Sequence, residues 1–254
     1  MGQEEKARSR RPRRFLLLVL LGLLAVLAVQ PEPALELVSR VASAIVWKVE
    51  TTQPLAALTF DDGPDPVYTP QVLDMLKHYD AKATFFLVGR RARARPDLLA
   101  RIRAEGHEVG NHTETHGRTL WQRESRFEEE LLEGEKTLGL ARARPKLFRP
   151  PGIWLRPSQQ AAAARHGYLT VLGSAYAYDP YRPPTDYIEW VIAKNLRSGA
   201  IVVLHDAGGD RSRTVSALPA ILRAAKEKGL RMVTLSDLLG AGSGYRASRV
   251  RNTR

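Results

Sequence analysis

Cysteine is absent from the 254 residues, which excludes disulfides and every cysteine-ligated metal site. An oxidising compartment is therefore tolerated without being indicated. Histidine is scarce, at six, so any two set at a ligand spacing carry weight. Acid falls short of base, 27 residues against 39, giving a formal charge of +12. That excess sits largely at the ends: residues 1–14 and 245–254 carry +4 each, leaving +4 for the long middle. The body thus lacks the massed basic face of a nucleic-acid binder, and no nucleic-acid partner is expected. What is present, 44% hydrophobic and 26% charged residues, suits one globular domain with a large core.

Only one long apolar run is free of charge, Phe15 to Val29, and it comes directly after Arg8-Ser9-Arg10-Arg11-Pro12-Arg13-Arg14. A positive flank holds the tail on the cytoplasmic side and sends the C-terminal remainder of the chain across the membrane. The run falls short of the ~20 residues of a typical spanning helix. Val26-Leu27-Ala28 is a passable cleavage site, but Val29-Gln30-Pro31 makes a poor start to a mature chain. The reading is an uncleaved single-pass anchor in the cell membrane with the domain outside the cytoplasm; a cleaved signal and secretion are the alternative. The expected organisation is a basic cytoplasmic tail over 1–14, the membrane segment over 15–29, a stalk or linker over 30–54, a domain over 55–240 and a basic disordered tail over 241–254. Within the stalk, Leu35, Val38, Val41, Ile45 and Val46 suggest a short amphipathic helix over Ala34–Trp47.

From Leu55 short apolar runs alternate with longer polar-apolar segments. Expected strands are Leu55–Phe60, Ala83–Val88, Glu108–Asn111, Lys146–Arg149, Leu169–Gly173, Ala200–His205 and Leu230–Leu235. Between them lie helical patterns over Pro70–Tyr79, Pro96–Glu105, Arg126–Leu138, Pro157–Arg165, Thr185–Arg197 and Val215–Lys228. Repeated strand–helix alternation implies parallel strands with crossover helices, hence an α/β domain. About seven such strands fit a distorted or incomplete (β/α) barrel better than a short open sheet.

Chemistry concentrates at the ends of these strands. Thr59-Phe60-Asp61-Asp62-Gly63-Pro64 sets two carboxylates side by side, which raises the proton affinity of one unless a cation is near. His112-Thr113-Glu114-Thr115-His116 sets two imidazoles four residues apart, a metal-ligand spacing if the segment is a helical turn. Zinc peptidases place Glu directly after the first His, and here Thr113 holds that position, so the peptidase reading is set aside. In a barrel the C-terminal strand ends share one mouth, so an Asp of the pair can complete a two-His, one-carboxylate site with open positions, a catalytic pattern. One Asp then coordinates and the other is free as a base. Phe148-Arg149-Pro150-Pro151-Gly152 adds an arginine beside a rigid Pro-Pro and a glycine with an approachable backbone N–H. Ile201 to Asp206 ends a strand on His205, a candidate acid.

Taken together, Thr59–Pro64, His112–His116, Arg149–Gly152 and Leu204-His205 resemble four of the five signature motifs of the polysaccharide deacetylases, the NodB-homology or carbohydrate esterase family 4 domain, over roughly Leu55 to Gly240. The resemblance implies a distorted (β/α) barrel and a metal-dependent deacetylase of N-acetylglucosamine-containing polysaccharide: peptidoglycan, a chitin-like chain or an exopolysaccharide. By the same resemblance Asp62, His112 and His116 bind one divalent metal, zinc first, with cobalt or manganese as alternatives. Asp61 is then the general base, Arg149 its charged partner, and His205 the general acid. Gly152 supplies an oxyanion N–H, Pro151 stands beside it, and Leu204 lines the acetyl pocket. The remaining motif, Asp-x-x-Asp-Trp, appears only as Asp179-Pro180-Tyr181-Arg182-Pro183, so Asp179 is the available partner for His205. An O-acetyl, xylan-type esterase and a catalytically weak glycan-binding relative are the alternative readings.

Overall fold

The computed structural model describes residues 45–242. The basic tail, the 15–29 segment, the stalk up to residue 44 and most of the C-terminal tail lie outside the described residues. Among the described residues no helix is long and apolar enough to cross a membrane.

Among the described residues nine strands form one sheet: β1 (Ile45–Val46), β2 (Leu55–Asp61), β3 (Ala83–Leu87), β4 (Glu108–Asn111), β5 (Lys146–Phe148), β6 (Tyr168–Val171), β7 (Ala175–Tyr176), β8 (Ile201–His205) and β9 (Arg231–Val233). Their order is β1-β6-β5-β4-β3-β2-β8-β7, with β9 also paired to β2, and every named pair is parallel. The result is a curled barrel left incomplete between β1 and β7. The seven expected strands are all present. The two additions are two-residue strands at the two ends of the sheet, too short to carry a period of two.

Among the described residues eight α-helices accompany them: α1 (Tyr68–His78), α2 (Gly89–Ala94), α3 (Pro96–Ala104), α4 (Glu124–Thr137), α5 (Pro157–Arg165), α6 (Thr185–Asn195), α7 (Ser212–Glu227) and α8 (Leu235–Ala241). The expected helix over Ala34–Trp47 gives way at its end, where Ile45 and Val46 pair with Thr170 and Val171 of β6. Of the stalk expected over 30–54, the described part packs on the domain: Trp47 and Val49 are buried, and Val49 donates its N–H to the Gly199 carbonyl at 2.9 Å. Burying this apolar stretch against β6 and β8 removes more surface from water than a free stalk could.

Strand alternation explains both faces of the sheet. In β2, Leu55 and Ala57 point into the barrel with Phe86, Leu147, Val171 and Ile201, while Ala56, Leu58 and Phe60 pack outward beneath α1, α6 and α7. In the interior, Leu235, Leu238 and Leu239 of α8 join the inward cluster. The α8 entry is fixed near the strand beginnings, where the Leu235 N–H donates to the Thr84 hydroxyl at 2.8 Å. That end is plugged. The opposite end, where β2, β4, β5 and β8 finish, stays open and polar. Register brings these finishing residues level: Asp61 lies beside His205 and Phe86, and Asn111 beside Phe148.

Leu238→Ala should lower the unfolding free energy by about 2–5 kcal/mol, because the plug cannot collapse into the space it vacates. Leu132→Ala, on the exposed face of α4 at 41% exposure, should change it by less than ~0.5 kcal/mol. Urea denaturation of the two variants checks the contrast.

Candidate active site

Asp61 is the last residue of β2, and alternation turns it inward with Thr59. Its neighbour should then point outward. Asp62 escapes that rule by leaving the strand in the left-handed region, φ 75°, which Asp tolerates better than most residues. Both carboxylates therefore reach the open end, in different directions. Asp61 Oδ1 accepts from Arg149 Nη1 at 2.6 Å. The same nitrogen donates to Thr59 Oγ1 at 2.7 Å, while Nε and Nη2 donate to the Val171 and Leu172 carbonyls at 3.2 and 2.9 Å. Arg149 is 1% exposed, and its guanidinium lies over the Phe86 ring at 4.2 Å. Burial pulls this guanidinium down from its ordinary value and Asp61 opposes the shift.

The segment after β4 is not the helical turn that the four-residue spacing suggests. Thr113 and His116 have φ of 67° and 62°, and the chain coils back so that the two imidazoles still meet, ring centroids 5.0 Å apart. Side chains and α4 hold this loop. Asn111 Oδ1 accepts the Thr113 N–H at 2.9 Å, and Thr113 Oγ1 accepts the His116 N–H at 3.1 Å. The buried Glu130 carboxylate accepts both the N–H and the hydroxyl of Thr115 at 2.7 Å. Close approach of α4 needs Gly134, where a Cβ would come within 2.7 Å of Asn111 Oδ1.

His112 Nδ1 lies 2.6 Å from the Arg149 carbonyl, which can only accept, so Nδ1 carries the proton and donates it. Nε2 of His112 and Nε2 of His116 face Asp62 Oδ1 at 3.4 and 2.8 Å. That oxygen is buried without a conventional hydrogen-bond partner, and the three ligand atoms lie within 4.8 Å of one another. Burial opposes ionisation of Asp62, yet the two histidines hold its carboxyl well below the usual carboxylate range. Three electron-rich atoms converging this way need a proton or a cation between them. The donor set, two imidazoles and one carboxylate, fits a divalent transition ion.

Across the opening, His205 ends β8. Its Nδ1 lies 3.0 Å from Asp179 Oδ1, and its backbone N–H donates to Asp179 Oδ2 at 2.9 Å. Thr214 Oγ1 donates to the same carboxylate at 2.9 Å. Burial works against the charged ring, but Asp179, helped by Asp61 and Asp62, outweighs it and pushes His205 up to about 9.

These groups share one cavity of about 340 Å³, lined by Asp61, Asp62, His112, His116, Arg149 and His205 together with apolar and aromatic walls. Gly152 lines it, at the third position of a tight Pro150–Ile153 turn with φ 73°; the Ile153 N–H closes the turn on the Pro150 carbonyl at 3.0 Å. Two expectations are corrected. Leu204 lies in the outward core and Val203 lines the cavity instead, because residues 203 and 205 share a strand face and 204 does not. Pro151 is buried outside the lining, its place taken by Pro150. Asp179, the partner available to His205 in the sequence, is bonded to that ring, is buried behind it and reaches the cavity only through it.

Thr59, Tyr176 and Glu130 escaped sequence reading. Thr59 could have been found from the inward phase it shares with Asp61. Glu130 is one of three successive glutamates with nothing to single it out, and Tyr176 sits in a two-residue strand.

A family model described as polysaccharide deacetylase matches residues 48–171. A peptidoglycan-N-acetylglucosamine deacetylase of Bacillus cereus is 44% identical over 198 residues, covering 77% of this chain and 92% of that protein. A chitooligosaccharide deacetylase of Sinorhizobium fredii is 37% identical over 192 residues, covering 70% of this chain and 89% of that protein. A crystal structure of a peptidoglycan N-acetylglucosamine deacetylase in complex with 4-naphthalen-1-yl-N-oxidanyl-benzamide superposes with a TM-score of 0.74 at 34% identity, over 79% of this chain and 95% of that one.

The Asp179–His205 pair makes a pH prediction for the metal-free protein. Because the folded value lies above the ordinary 6.5, its stabilisation is complete below pH about 6.5 and is lost as pH rises through about 9. In NMR titration of the metal-free protein, His205 should titrate near 9, and Asp179→Asn should move it downward. The stability difference between wild type and this variant should shrink between pH 6 and pH 10.

Proposed function

This chain belongs to the polysaccharide deacetylase family, and from that membership and the site's geometry we propose that it is a metal-dependent hydrolase removing acetyl groups from N-acetylglucosamine-containing polysaccharide. Peptidoglycan, a chitin-like chain and an exopolysaccharide are the polymers in view. The observation that carries the reading is the convergence, in one cavity, of a His-His-Asp ligand set flanked by two charge pairs, Asp61–Arg149 and Asp179–His205.

In this reading Asp62, His112 and His116 hold one divalent ion, zinc first and cobalt or manganese as alternatives. Such an ion supplies Lewis acidity to the acetamide carbonyl and to an attacking water. Asp61 is the base: Arg149 occupies its Oδ1, leaving Oδ2 to take the proton of the water. The Gly152 N–H donates to the carbonyl oxygen as negative charge develops there. His205, charged and held through Nδ1 by Asp179, gives its Nε2 proton to the departing nitrogen. Water and amide thus become acetate and a free amino sugar. Residues 15–29 anchor the domain outside the cytoplasm, where such polymers lie.

Acetate release from N-acetylglucosamine oligomers, peptidoglycan and acetylxylan is the test, before chelation, after it, and with zinc, cobalt or manganese restored. Metal-restored release from the N-acetylated substrates is expected. Release from acetylxylan alone assigns the O-acetyl esterase reading instead, and no metal-dependent acetate from any substrate overturns the proposal. Asp61→Asn should abolish turnover with metal content retained, whereas His112→Ala should lose the metal, both checked by elemental analysis of the purified variants.

A further inference from the structure

Large apolar side chains that stay in water are not scattered evenly over this protein. Nine are exposed among the described residues, and six of them, Leu120, Trp121, Ile153, Trp154, Tyr178 and Tyr181, belong to segments around the cavity mouth. Clustering of that kind marks a binding surface, since single exposed apolar residues need no explanation whereas a contiguous set does. Ile153, Tyr178 and Tyr181 line the cavity itself. Trp121 and Trp154, 76% and 58% exposed, lie beyond that lining.

The two tryptophan-bearing segments are fastened together. Thr119 Oγ1 donates to the Pro151 and Trp154 carbonyls at 3.2 and 2.9 Å, and Gln159 Nε2 to the Thr119 and Gln122 carbonyls at 2.7 and 3.0 Å. Arg156 spends its guanidinium on the Leu120 and Gln122 carbonyls. Exposed tryptophans on a braced support lose little freedom when they take a ligand. Ile153, which joins this surface to the cavity, is a β-branched residue at φ 64°, a conformation that costs energy and gathers at ligand clamps.

We propose that Leu120, Trp121, Ile153 and Trp154 form a glycan platform that receives the sugar residues next to the one whose acetamide enters the cavity. The inference rests on the deacetylase reading and adds to it: the protein acts on chains, gripping sugars beyond the reacting one through the apolar faces of their rings. A lipid surface is the rival occupant of exposed tryptophans. Continuity with the cavity through Ile153 favours the glycan, as does the consumption of Arg156 by backbone carbonyls rather than by free anions.

Two measurements on the full chain decide it. In steady-state acetate release by the metal-loaded protein, Trp121→Ala and Trp154→Ala should each lower kcat/KM on the N-acetylglucosamine pentamer about tenfold, with less than about twofold effect on N-acetylglucosamine itself, which has no neighbouring sugar, a change of about 1.4 kcal/mol confined to the chain. Thermal denaturation should be unchanged, because both side chains are exposed. Equal losses on monomer and pentamer, or none on either, overturn the platform. Pentamer binding by isothermal calorimetry is the second measurement and needs no turnover, so it separates the two readings. If the wild type releases no acetate, tryptophan-dependent pentamer binding still supports the platform, and tryptophan-independent binding or no binding overturns it.

Discussion

A guanidinium lies almost wholly buried at the open end of the barrel, and the site is arranged around the need to satisfy it. Burying that charge is tolerable only if acceptors surround it, and Arg149 finds them on β2, in Asp61 and Thr59, and in the chain leaving β6, at Val171 and Leu172. Breaking a buried pair of this kind typically costs about 3–5 kcal/mol, so strand register and charge placement sustain each other. The backbone carbonyl of the same residue fixes the His112 tautomer. One residue thereby orients a carboxylate through its side chain and an imidazole through its main chain.

The two acids at the end of β2 divide along a geometric line. Asp61 obeys the strand and meets Arg149, while Asp62 breaks the alternation and meets the histidines. Had both stayed extended, one would have faced the hydrophobic layer under the helices, where an unpaired carboxylate is not tolerated.

Much of this was legible in the chain and some was not, for separable reasons. The seven longer strands announced themselves by apolar runs, whereas Ile45–Val46 and Ala175–Tyr176 are too short for any pattern and exist because neighbouring strands offer an edge. His112 and His116 were found by a spacing whose helical rationale proved wrong; the chain reaches the same convergence through two left-handed residues that no local rule foretells. Leu204 is the instructive miss, since a period of two anchored on His205 excludes it from the cavity and selects Val203. Asp179 could be nominated from sequence alone, but its bonds to His205 come from the tertiary fold. Glu130 is invisible among three glutamates, because only the packing of α4 against the histidine loop distinguishes it.

The plug formed by α8 has a consequence for traffic. With Leu235, Leu238 and Leu239 filling the far end of the barrel, the cavity is a blind alley with one door. Under the proposed reaction, acetate formed in the cavity would leave by the same end at which the glycan enters, so access and release would share one route.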